Sequence, residues 1–214
     1  MSDESLFREV DEEVRQEQFK KLWDRYGNVI LALCLVLVAA VAAFKGWQYW
    51  QVKQAEAAGE SFFTASKLEE AGKADEAMKQ FAAIGHSGYG VLARLRAAGA
   101  AKPDAAVKAY DAIAADTGTA APLRDLARIR AAYLLVDIAK PEDIAARMKD
   151  MDTAGNLWRH EAREVMALAR WRANDYAGTD KQTAVILADP ETPAALRKRA
   201  QMLSELVLPM LGQK

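Results

Sequence analysis

The chain has 214 residues, of which 51% are apolar, 28% charged and 8% aromatic, and its formal net charge is −1. That length holds one ordinary domain plus something smaller, and the near-neutral balance lacks the basic surplus of a general nucleic-acid binder. A single cysteine excludes an intramolecular disulfide framework and a cysteine-based zinc site, and two distant histidines, His86 and His160, form no metal-ligand pattern.

Residues 1–26 carry eight acidic and five basic side chains. Leu6, Val10 and Val14 lie four apart, and Phe19, Leu22, Trp23 and Tyr26 continue at helical spacing. This pattern predicts an amphipathic helix with its acidic side chains on the wet face. As a cytoplasmic tail it is either a solvated stem or a docking segment for a cytoplasmic partner.

Residues 27–44, GNVILALCLVLVAAVAAF, are 18 positions without a charge. At about 1.5 Å per residue they make roughly 27 Å of helix, close to the ~30 Å hydrocarbon core of a bilayer. Trp23 and Tyr26 precede the run, and Trp47, Tyr49 and Trp50 follow it, as interfacial belts do. A transmembrane helix over 27–47 is therefore expected. A buried core helix seldom has so long an uncharged run. A signal peptide has a short basic lead and a small-residue cleavage site, whereas here an acidic-rich tail precedes and Phe44, Lys45, Gly46 and Trp47 follow. The span should remain uncleaved, with Cys34 as apolar filler inside it. Arg8, Arg15, Lys20, Lys21 and Arg25 outnumber Lys45, Lys53 and Lys67 on the far side, which keeps the N-terminus in the cytoplasm and sends 48–214 across the membrane.

Beyond Ala55 no sustained alternation of strand formers occurs, and Ala, Leu, Glu, Lys and Arg dominate. Gly72, the group Gly85, Gly88 and Gly90, then Gly99, Pro103, Gly118, Pro122, Pro141, Gly155, Gly178, Pro190 and Pro193 separate runs of helix length. Eight or nine helices in a chain of hairpins follow, so the fold class is all-α. Within the hairpins a spacing recurs: a small residue, a second about twelve later, an aromatic or large residue four on, and an apolar one three beyond. Ala65, Ala77, Phe81 and Ile84 fit it; so do Ala93, Ala106, Tyr110 and Ile113, with one extra residue at the turn. Ala132, Ile144, Met148 and Met151 form a degraded third unit, and Ala167, Thr179, Thr183 and Ile186 a fourth in which Thr183 replaces the aromatic. Small residues are required where two helices cross closely, and the large residue fills the joint to the next hairpin. The pattern is that of a degenerate tetratricopeptide repeat, or else of a generic hairpin array, capped by a last helix burying Leu196, Ala200, Leu203 and Val207.

No nucleophile elbow, phosphate loop, zinc-protease or calcium-loop motif is present. The chain is not expected to be an enzyme, or to need a cofactor, a metal or a small-molecule substrate. His160 and Glu164, one turn apart, suggest a salt-bridged helix surface. The glycines around His86 suggest positive-φ positions rather than a phosphate cradle. Arg94, Arg128, Arg163 and Arg170 fall on first helices of hairpins, the helices that line the concave face of tetratricopeptide stacks. They are candidates for a partner groove, against the plainer reading of surface ion pairs with residues such as Asp125, Glu161 and Glu164.

The layout of tail, bordered span and degenerate repeats ends in DPETPAALRKRA at 189–200. In order and in this last stretch it resembles the YfgM-like family of bacterial inner-membrane proteins, ancillary subunits of the Sec translocon. The resemblance implies a single-pass inner-membrane protein with a periplasmic repeat domain at the SecYEG channel, working with a membrane-anchored periplasmic chaperone on emerging secretory proteins. The residues themselves point to a membrane-anchored scaffold for protein partners. The alternative is a signalling regulator whose cytoplasmic tail sequesters a soluble factor.

Overall fold

The computed structural model describes the backbone of residues 3–212 and side chains from Lys20 onward. Among the described residues the elements are α1 (Asp3–Glu70), α2 (Ala74–Ala82), α3 (Tyr89–Ala100), α4 (Pro103–Ala115), α5 (Ala121–Leu135), α6 (Pro141–Arg147), α7 (Arg159–Arg172), α8 (Tyr176–Ala188) and α9 (Ala194–Leu211). No strand is present among them. The chain divides into two compact units, 1–56 and 57–214.

The first unit is a stretch of α1, which runs without a break through both positions where sequence composition changes, near 26 and near 47. From Val29 to Phe44 its apolar side chains stand in the open. A helix apolar on all sides cannot remain so in water, and this one is long and apolar enough to cross a membrane. Trp47 and Trp50 pack ring against ring at 5.6 Å just beyond it. The amphipathic face expected of Leu6, Val10 and Val14 lies outside the described side chains.

The second unit begins with the last turns of α1. Hairpins then follow as α1–α2, α3–α4, α5–α6 and α7–α8, with α9 closing the row. From α2 onward successive helices pack on one another, and α7 touches both α5 and α9. The core is accordingly a series of small clusters rather than one centre. Ala65, Ala77, Phe81, Ile84 and Ala93 make the first. Val91, Leu95, Ala106, Tyr110 and Ile113 belong to the next. Ile129, Ala132, Ile144, Met148, Met151 and Val165 follow, and Ile186, Leu196 and Ala200 finish the row. Every position named above in the four twelve-four-three series is buried, Ala167, Thr179 and Thr183 included.

Local chemistry explains the turns. At the end of α1 the N–H of Gly72 donates to the carbonyl of Glu69 at 3.0 Å and that of Lys73 to Leu68 at 2.9 Å, with Gly72 at φ +77°. The end of α7 repeats this left-handed stop with Asn174 at φ 60°, where Asn174 donates to Trp171 and Asp175 to Arg170. Asp175 then caps α8 by accepting from Gly178 N–H at 2.9 Å, so Gly178 lies inside the helix and the turn is made before it. The other two hairpins open their second helices with Pro103 and Pro141, whose missing N–H costs nothing in a first turn. Gly72 is the one positive-φ glycine among the described residues. The group around His86 is therefore not left-handed, contrary to expectation; at Gly90 a Cβ would meet the Ile84 carbonyl oxygen at 2.7 Å, so close approach is what requires glycine there.

Candidate functional site

The first helices of the last hairpins, α5 and α7, and the capping helix α9 surround a groove of about 430 Å³. Tyr133 enters it from α5, Glu164 and Leu168 from α7, and Arg199, Met202 and Leu206 from α9, over a floor that includes Ala167 and Ala200. The small floor residues are those that let the helices approach closely.

A polar latch sits in this apolar setting. Glu164 is 5% exposed, and its carboxylate accepts a forked pair from Arg199, Nε at 2.5 Å and Nη2 at 2.8 Å. Tyr133 Oη–H donates to the same carboxylate at 2.5 Å. Three donors from two other helices thus replace the water that burial removes. Burial, and then the bond to Glu164, push the Tyr133 phenol far above its ordinary range, so it stays a donor. The same carboxylate holds Arg199 above the usual guanidinium range. The expected helix-surface pairing of His160 with Glu164 is thereby corrected. Both are buried, and His160 Nδ1 instead meets Thr192 Oγ1 at 3.2 Å.

None of the four arginines singled out by sequence lines this groove; each is held by its own chain. Arg94 donates to Asp116 at 2.8 Å and Thr119 at 3.2 Å. Arg128 donates to the carbonyl oxygens of Arg147 and Lys149, at 2.5 and 2.9 Å, closing the end of α6, and pairs with Asp125 at 3.4 Å. Arg163 bridges Asp152 at 2.5 Å and Asp189 at 2.9 Å, and Arg170 pairs with the cap Asp175 at 2.8 Å.

Two of these pairings share a device that sequence reasoning missed. The loops after α4 and α8 read Asp116-Thr117-Gly118-Thr119 and Asp189-Pro190-Glu191-Thr192. In each, the aspartate Oδ1 accepts from the N–H two residues on, at 3.0 Å, and its carbonyl accepts from the threonine N–H, at 2.9 and 3.2 Å. An arginine from the first helix of the same hairpin, Arg94 or Arg163, then clamps the aspartate. Bonds from Arg94, Thr119 and Gly118 hold the Asp116 carboxyl below its usual range, and those from Glu191 and Arg163 do the same for Asp189. The recurrence of Asp-x-x-Thr at the ends of two hairpins was the available signal.

A row of stacked helical hairpins defines a repeat protein of the kind that binds other proteins. Residues 20–183 match the model of the Tetratricopeptide repeat-like domain, and the chain belongs to that family. Comparison with the curated proteins and with the solved structures gives no match.

Proposed function

We propose that the protein is a membrane-anchored scaffold whose repeat stack, residues 48–214, holds protein partners outside the cytoplasm of a bacterium. Residues 27–47 are its single uncleaved span in the inner membrane, and residues 1–26 remain cytoplasmic. The observation that carries the reading is the presence, in one chain, of an exposed helix long and apolar enough to cross a membrane and of a stack of interaction-repeat hairpins. The family match also starts at Lys20, ahead of the apolar run, so span and stack belong to one layout. The groove of α5, α7 and α9 is the favoured partner surface, and the ion-paired Arg94, Arg128, Arg163 and Arg170 keep the stack in shape around it.

The resemblance of the layout and of residues 189–200 to the YfgM-like family extends this reading to an ancillary place at the Sec translocon beside a membrane-anchored periplasmic chaperone. Two measurements test it. A C-terminal alkaline phosphatase fusion is expected to be active and a cytoplasm-only fluorescent fusion dark; the reverse pair overturns the topology. Site-specific crosslinking from Leu168 in intact membranes, followed by mass spectrometry, is expected to capture translocon or chaperone subunits. Capture of cytoplasmic proteins alone, lost on deleting residues 1–20, favours the signalling-regulator alternative.

A further inference from the structure

We propose that α9 is a self-association helix, and that two copies of the chain join by seating the apolar end of each α9 in the α7–α9 groove of the other. Between Met202 and Leu211 only Ser204 and Glu205 are polar. Leu203 and Val207 face the stack, yet Met202, Leu206 and Leu208 are 49%, 59% and 59% exposed, with Met210 and Leu211 each at 38%. Lys198, Arg199 and Gln201 are exposed on the first half of α9, whereas its second half turns mostly apolar side chains outward. Those five side chains offer on the order of 400 Å² of apolar surface, about the non-polar share of the roughly 800 Å² each partner gives a stable interface.

Four features favour a second copy over another occupant. The groove of about 430 Å³ has room for two or three aliphatic side chains, given ~150 Å³ for an excised leucine, and Leu208, Met210 and Leu211 are such side chains. The groove holds one charge of each sign, Glu164 and Arg199, and these satisfy each other, so its complement is uncharged. Residues 201–212 contain no Lys or Arg, which argues against an anionic lipid surface. The protruding residues and one wall of the groove, with Met202 and Leu206, also lie on the same helix, so reciprocal insertion closes on a two-fold axis and stops at a dimer. The groove is the partner surface proposed above, so a second copy and a partner compete for it; the dimer itself depends on neither the identity of that partner nor the direction of the span.

The test uses the full chain in detergent. Light scattering across a concentration series is expected to give two chains per particle, and Leu206→Lys and Leu208→Lys to weaken self-association by about tenfold or more at unchanged helical circular dichroism. In a Cys34→Ser background, Met202→Cys together with Met210→Cys is expected to crosslink copy to copy on oxidation, the groove-wall cysteine of one copy to the inserted cysteine of the other, which reads the contact even if a lysine variant fails to fold. One chain per particle at every concentration overturns the proposal and leaves the patch to a different protein or to lipid. A two-chain mass indifferent to both lysine variants, without the crosslink between positions 202 and 210, overturns it as well and moves the association to another segment.

Discussion

Phe81 and Lys79 lie two residues apart in α2 and point to opposite sides of it. Phe81 is buried, 5.3 Å from the ring of Phe62, and Ala77 sits one turn earlier on the same face; Lys79 is exposed. Phe81→Ala should therefore cost about 3–5 kcal/mol by opening a cavity, and Ala77→Leu about 1–3 kcal/mol by overpacking the helix crossing. Lys79→Ala should stay within about 0.5 kcal/mol. Urea melts of the three variants check this, and a Lys79→Ala loss equal to that of Phe81→Ala would mean the register of the first hairpin is wrong. Such positions were legible in the sequence because helical phase turns spacing directly into burial. Ion pairing was the plainer reading of the arginines, and Arg128 does pair with Asp125, but the distant partners of the others were not legible. Arg94 finds Asp116 and Arg163 finds Asp189 at separations of 22 and 26 residues, across loops whose course no periodicity encodes. Glu164 was misplaced for the same reason, since its partners come from 31 residues before and 35 after it.

Between elements, the polar contacts act as joints, and their chemistry fixes how they respond to acid. Asp116, Asp175 and Asp189 all have carboxyls held below the usual range. A depressed carboxyl stabilises the fold at every pH above its unfolded value of about 3.9, and that contribution disappears as pH falls through the lower folded value. Between pH 7 and 5 these joints should hold the melting temperature level, with the loss beginning below about pH 4. Asp189→Asn should melt lower than the native chain at pH 7 and converge with it in strong acid; a constant gap between the two at every pH would remove the ionic role. The Glu164–Arg199 latch between α7 and α9 follows a different rule. Arg199→Ala leaves a buried carboxylate short of donors and should cost about 1–3 kcal/mol, toward the low side because the guanidinium is half exposed. Replacing both residues with leucine should recover most of that loss, because an apolar pair needs no donors. Thermal melts of the single and double variants separate the two outcomes.

At the scale of the whole chain, two kinds of apolar surface coexist with different fates. The side chains of 29–44 are exposed along a helix that water cannot stabilise, whereas those from Ala65 onward are divided among clusters that each join only neighbouring helices. Such a row has no single centre whose loss unfolds everything, and its stability is a sum of hairpins and the interfaces between them. The sequence foreshadowed this through Ala-to-Ala intervals of 28, 39 and 35 residues, too irregular for identical repeats yet always returning a small residue to each crossing. Damage should accordingly stay local. Phe81→Ala empties the cluster shared by α1, α2 and α3, and hydrogen exchange there should accelerate while α8 and α9, which cluster around Ile186 and Leu196, keep their native protection. Ile186→Ala should produce the mirror pattern, loosening α8 and α9 and sparing α2. Exchange mass spectrometry on the full chain reads both variants peptide by peptide. An equal acceleration from α2 through α9 in either variant would mean that the stack unfolds as one cooperative body, with coupling between hairpins stronger than their nearest-neighbour contacts provide.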